Sequence, residues 1–182
     1  LELVQRAAFT RPVVLFSYLN PVLRYGLAPF LRDAAALGVA GLLLTDLPAG
    51  SDPALEATVT QSPLDLIRLL APTTPPARLQ AAVAGAQGFL YLVSRLGVTG
   101  AQQTLAPDLA ESVARVRSVS GLPIAVGFGL STPEQVGAVA RLADGVVVGS
   151  ALVDRLARDG VAGARQLLTG LARALDDAAG AA

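Results

Sequence analysis

The chain has 182 residues, 53% of them apolar and 15% charged, with 14 basic and 14 acidic side chains. That composition fits a single compact domain over residues 1–182 and excludes a disordered chain, while the balanced, scattered charge offers no footprint for nucleic acid or a membrane surface. Cysteine is absent, histidine is absent and every basic residue is arginine, which removes disulfides, thiolate nucleophiles, Cys-ligated zinc, the usual general base and lysine Schiff bases. Acid–base chemistry therefore falls to Asp, Glu or Tyr. The longest apolar runs, such as 41–44 and 145–149, are too short to cross a bilayer, and no signal-peptide pattern opens the chain, which points to the cytoplasm.

Residues 1–8 read as the end of a helix, with Leu1, Val4 and Ala8 on one face. The chain opens on Leu and not on Met, so it reads as cut. Thr10-Arg11-Pro12 breaks the helix, 13–16 is a short strand, and Ser17-Tyr18-Leu19-Asn20-Pro21 is turn-like. Residues 27–37 are helical and stop at Gly38. A second strand at 41–44 leaves through Thr45-Asp46-Leu47-Pro48, after which Ser51 or Asp52 caps a helix with Pro53 at its first position. The third strand spans 64–70. Thr74 then caps a helix from Pro75 to Val83. The fourth strand spans 88–93 and is followed by a long loop, 94–107. A helix over 108–119 ends at Ser120-Gly121. Strands at 123–126 and 146–148 are each followed by a helix, near 132–140 and 151–158, and a last helix covers 161–178.

Six strands with a helix behind each, all nearly continuous Val, Leu and Ile, mark a parallel sheet covered on both faces. Doubly wound sheets share that local pattern. The glycine placement separates the two: Gly127-Phe128-Gly129 and Gly149-Ser150 close the last two strands, whereas a doubly wound nucleotide binder carries its glycine-rich turn after the first. Glycine at a strand mouth lets backbone N–H groups approach a ligand, and a helix N-terminus just beyond favours an anion such as phosphate. Phosphate sites after the last two strands are a property of (β/α)8 barrels, which need about 250 residues. The expected fold is a TIM (β/α)8-type barrel with about six of its eight units present and the first strands missing.

At this point the chain becomes recognisable. Tyr18-Leu19-Asn20-Pro21, Asp46-Leu47-Pro48, the run from Tyr91 to Gly100 (YLVSRLGVTG), Gly127-Phe128-Gly129 and Gly149-Ser150 occur in an order and spacing that resembles the tryptophan synthase alpha subunit, over about residues 1–160. The S-R-x-G-V-T-G segment ahead of a G-F-G is the specific part. The resemblance implies a barrel lyase that splits indole-3-glycerol phosphate into indole and glyceraldehyde 3-phosphate. It also implies a beta-subunit partner in an α2β2 heterotetramer; the pyridoxal phosphate belongs to that partner, and this chain carries no cofactor or metal. Position by position, it assigns Gly100, Gly129, Gly149 and Ser150 to the substrate phosphate, and Tyr91, Phe89 and Tyr18 to the indole pocket. Arg95 and Thr99 fall on the mobile lid, which excludes water on closing.

The resemblance also implies a catalytic Glu on the second barrel strand and an Asp on the loop after it, and both would precede Leu1. Losing one positioned acid or base costs on the order of 10²–10⁴ in rate, so the chain as it stands is expected to be inactive alone. Asp46, at a strand's C-terminal end, could act as an acid or base, but a hydrogen bond to the turn before Pro48 is the favoured role. Two alternatives stay open: another phosphate-binding barrel enzyme of the sugar-phosphate isomerase type, and a non-catalytic fragment that binds phosphate or a partner.

Overall fold

The computed structural model of the protein describes residues 1–94 and 107–180. The chain forms two compact units, Leu1–Leu69 with Pro75–Leu90, and Leu70–Thr74 with Tyr91–Ala182.

In the first unit the strands β1 (Val13–Ser17), β2 (Val39–Leu44) and β3 (Asp65–Leu70) lie in that order and pair in parallel, with Leu15 opposite Leu42 and Leu42 opposite Leu66. Both faces of β2 are buried, Leu42 and Leu43 alike, as its unbroken apolar run requires. The helices are α1 (Glu2–Ala7), α2 (Leu19–Tyr25), α3 (Leu27–Ala36), α4 (Pro53–Thr60) and α5 (Pro76–Ala84). Leu31 and Ala34 of α3 and Leu55 and Val59 of α4 close over Leu42, Leu44, Leu64 and Leu66 to form the core.

Two local expectations are corrected here. The stretch 17–21 is not an irregular turn: α2 begins at Leu19, with Asn20 and Pro21 in its first turn, where proline lacks only an N–H that the helix would leave unpaired anyway. Thr74 does not cap α5. Pro75 is the N-cap, extended at ψ 151°, and no side chain caps that helix. Asp52, by contrast, accepts the Leu55 N–H at 3.0 Å, with Pro53 in the first turn.

The second unit carries β4 (Leu90–Val93) from Tyr91 onward, then β5 (Ile124–Gly127) and β6 (Gly145–Val147), in that order, with β5 and β6 parallel. Its helices are α6 (Leu109–Arg117), α7 (Pro133–Ala140) and α8 (Ser150–Ala179). The α7 N-terminus is a full capping box, in which Thr132 accepts the Gln135 N–H while the Gln135 side chain accepts the Thr132 N–H. α8 packs against α7 so that a Cβ on Gly170 would make an ordinary contact with Pro133 at 3.6 Å, and one on Gly137 with the Ala174 carbonyl at 3.5 Å. The path of α8 breaks at Gly160 (φ 65°, ψ −163°), a conformation open essentially only to glycine, so 150–159 and 161–179 are separate helical segments as the sequence predicts.

At the entry of β5, the Asp144 carboxylate accepts the Ile124 N–H at 2.8 Å and pairs with Arg117 at 3.2 Å. The Ile124 bond, more than Arg117, holds its carboxyl below the usual Asp range. The functional candidates sit at the opposite end of that strand.

Candidate anion-binding site

The strand β5 ends at Gly127, and the backbone then takes two left-handed residues in succession, Phe128 (φ 89°) and Gly129 (φ 77°). For phenylalanine this is a costly conformation, of order 1–3 kcal/mol, that survives only when its surroundings enforce it. Ser94 at the end of β4 supplies that enforcement. Its N–H donates to the Gly127 carbonyl at 2.8 Å, and its buried hydroxyl donates a short hydrogen bond to the Phe128 carbonyl. In an extended strand successive carbonyls point to opposite sides; here Ser94 takes two in a row. The Phe128 and Gly129 N–H groups consequently turn the other way, and neither has a hydrogen-bond acceptor among the described residues. Consecutive amides aimed to one side form a nest of the kind that binds anions.

Gly127 is fixed by packing. A Cβ there would fall 2.6 Å from Tyr91 Cζ and 2.9 Å from Val147 Cβ, so the Tyr91 phenol occupies the space that glycine leaves. Tyr91 is 5% exposed, and burial pushes its phenol up from the ordinary tyrosine pKa, so it stays a neutral hydroxyl at physiological pH.

The second corner is Gly149-Ser150 at the start of α8. Gly149 is the N-cap and offers no side chain, and no described side chain caps the helix, so its first N–H groups have no partner within it. Nothing lies within 4 Å of a Cβ built on Gly149, and its φ of −116° is open to any residue. Neither packing nor backbone strain therefore demands glycine at this position. Ser150 and Ser131, two residues beyond Gly129, both line an open cavity of about 460 Å³, together with Ala151, Asp154, Arg155 and Arg158. Arg155 and Arg158 are committed to Asp159 (2.8 Å) and Asp154 (2.9 Å), so neither presents an unpaired charge.

The other expected positions are distributed as follows. Gly100, Arg95 and Thr99 lie outside the described residues. Phe89 is half-buried and directly precedes β4, which begins at Leu90 and not at Gly88. Tyr18 is 66% exposed and is the N-cap of α2. Phe89 and Tyr18 belong to the first unit and Tyr91 to the second.

Asp46 has a structural partner: its Oδ1 accepts the Leu19 N–H at 2.7 Å, capping α2 from the loop after β2. The bond reaches α2 and not the turn before Pro48. A buried pair escaped the sequence reading. Arg68, 4% exposed in the middle of β3, donates to Glu56 in a short contact and to the Leu47 carbonyl at 3.4 Å, while Glu56 also accepts the Gly50 N–H at 2.8 Å. An arginine inside the apolar run Leu66–Leu70 has to be paired if buried, and that was the available signal. Among the described residues no group of three or more acidic side chains could hold a metal ion, and no helix is long and apolar enough to cross a membrane.

Parallel strands alternating with helices, with glycine-lined exits on the last two, define a protein of the (β/α)8-barrel class. A family model described as "Tryptophan synthase alpha chain" matches residues 1–179. A curated tryptophan synthase alpha chain from Chloroflexus aurantiacus is 49% identical over 170 residues, which cover 89% of this chain and 64% of the relative. Among solved structures, tryptophan synthase from Mycobacterium tuberculosis aligns with a TM-score of 0.82 at 41% identity, covering 90% of this chain and 62% of that one. The alpha subunit from Legionella pneumophila aligns at 0.83 with 32% identity, covering 97% and 68%. The chain belongs to the tryptophan synthase alpha chain family. Its fold class is the TIM barrel, with six strands among the described residues, and the chain spans 64% of the length of the Chloroflexus relative.

Proposed function

We propose that this chain carries the phosphate-binding part of an enzyme that cleaves indole-3-glycerol phosphate to indole and glyceraldehyde 3-phosphate, and that a pyridoxal-phosphate beta subunit is its partner. The observation that carries the proposal is the Phe128–Gly129 nest at the exit of β5, whose amides have no acceptor among the described residues, together with the helix start Gly149-Ser150 at the exit of β6, which no described side chain caps. Amide hydrogens and one hydroxyl, Ser150, suffice to hold a phosphate dianion without a cation. Gly100 would add a further amide, Arg95 and Thr99 would belong to the lid, and Tyr91, Phe89 and Tyr18 would line the indole pocket. In this reading a Glu and an Asp move the protons, and neither is assigned to a residue of this chain. No cofactor is assigned to this chain, and the cytoplasm is its proposed location.

Titration with indole-3-propanol phosphate, followed by amide chemical shifts, tests the proposal. The expected result is saturable perturbation of Phe128, Gly129, Gly149 and Ser150. Perturbation confined to other residues, or none at millimolar ligand, overturns it.

A further inference from the structure

We propose that Ser94 is a positioning residue for the anion site: its hydroxyl holds the peptide between Phe128 and Gly129 in the orientation that aims the Gly129 N–H at the ligand. The inference rests on the reading of that corner as a phosphate cradle and extends it to a residue that touches no ligand.

A trans peptide is planar, and its carbonyl and its N–H point in opposite directions. The Phe128 carbonyl and the Gly129 N–H belong to one such plane, so whatever holds the carbonyl also aims the amide. Ser94 Oγ holds the carbonyl. The Ser94 backbone holds the preceding carbonyl, that of Gly127, at 2.8 Å, so the two peptides that flank Phe128 are each held by one bond from the same residue. Without the hydroxyl, no other hydrogen bond among the described residues retains the Phe128 carbonyl, and Phe128 gains by relaxing from φ 89° toward negative φ. That relaxation swings the Gly129 amide away and separates the paired donors of the nest. Ser94 is 4% exposed, and its burial removes water as a competing partner for the hydroxyl.

The test compares the 182-residue chain with Ser94→Ala and Ser94→Cys, using inorganic phosphate as the probe and the amide shifts of Phe128, Gly129 and Ser150 as readouts. The thiol fills nearly the same space as the hydroxyl and donates weakly, so Ser94→Cys separates packing from hydrogen bonding if the alanine variant fails to fold. In both variants the Gly129 shift of the free protein should move while that of Ser150 stays, and phosphate affinity should fall by about 3- to 10-fold, the loss of one ordinary hydrogen bond. A global loss of packing would move all three resonances together, and that outcome would overturn the assignment. Unchanged affinity and an unchanged Gly129 shift in a folded variant would also overturn it, leaving the cradle reading intact. Failure of the parent chain to show any phosphate response at Phe128 or Gly129 would sink both.

Discussion

Replacing Gly149 by aspartate separates what the fold needs at that corner from what a ligand needs. A Cβ at Gly149 meets no atom within 4 Å and its φ of −116° suits any residue, so the substitution costs no packing and no strain. Gly149 is moreover the N-cap of α8, where Asp is at least as good as Gly, by a few tenths of a kcal/mol. Stability should stay within about 0.5 kcal/mol of the parent. Anion affinity should move the other way. A carboxylate about 5 Å from a phosphate charge repels it by ~3 kcal/mol at an effective dielectric near 20 and by ~1 kcal/mol in bulk water, for each unit of ligand charge. Phosphate-ester affinity should therefore drop by at least about fivefold and, in a partly desolvated site, by more than a hundredfold. Calorimetric titration at fixed ionic strength, beside urea denaturation of both proteins, reads the two quantities separately. A variant that melts like the parent and binds indole-3-propanol phosphate just as well would refute the placement of the phosphate at this corner.

Gly127→Ala should behave in the opposite manner, destabilising the chain by about 1–3 kcal/mol, because its methyl must displace the Tyr91 ring and Val147; an unchanged urea midpoint would contradict that packing. Glu56→Leu should cost about 3–5 kcal/mol by stranding the buried Arg68 guanidinium, whereas the double change with Arg68→Leu should recover most of the loss. Equal losses in the single and double variants would show that the pair is not coupled. Asp144 is held below its unfolded pKa, so it contributes stability above the unfolded carboxylate value and loses it as pH falls through the lower, folded one. Below about pH 4 the parent should destabilise more steeply than Asp144→Asn, and parallel melting curves for the two from pH 6 to pH 2 would exclude the assignment.

Much of this architecture is readable from short sequence signals, because each rests on local chemistry. Thr132-Pro133-Glu134-Gln135 spells a capping box with proline in the first turn, Asp52-Pro53 spells a capped helix, and Asp159-Gly160 spells the break in α8. The stretch around Asn20-Pro21 misleads because proline is a breaker inside a helix and neutral in its first turn, and only tertiary context says which applies. The candidate site divides the same way. Its glycines are legible, since a bare strand mouth is a local property. The positive φ of Phe128 and the two bonds from Ser94 are not, because they join residues 34 apart through the pairing of β4 with β5. The Asp46 bond to Leu19, across 27 residues, was hidden for the same reason.

The break at Gly160 has a consequence for how such a corner can be tuned. An unbroken helix from Ser150 to Ala179 would transmit every adjustment of its first turn along a rigid rod into the seam with α7, where Gly170 and Gly137 lie. With the break at Gly160, the hydrogen-bonded path of the leading ten residues ends before the segment that packs on α7 begins. A substitution near residue 150 is thus expected to shift the first-turn amides of α8 and leave the packing of residues 161–179 untouched.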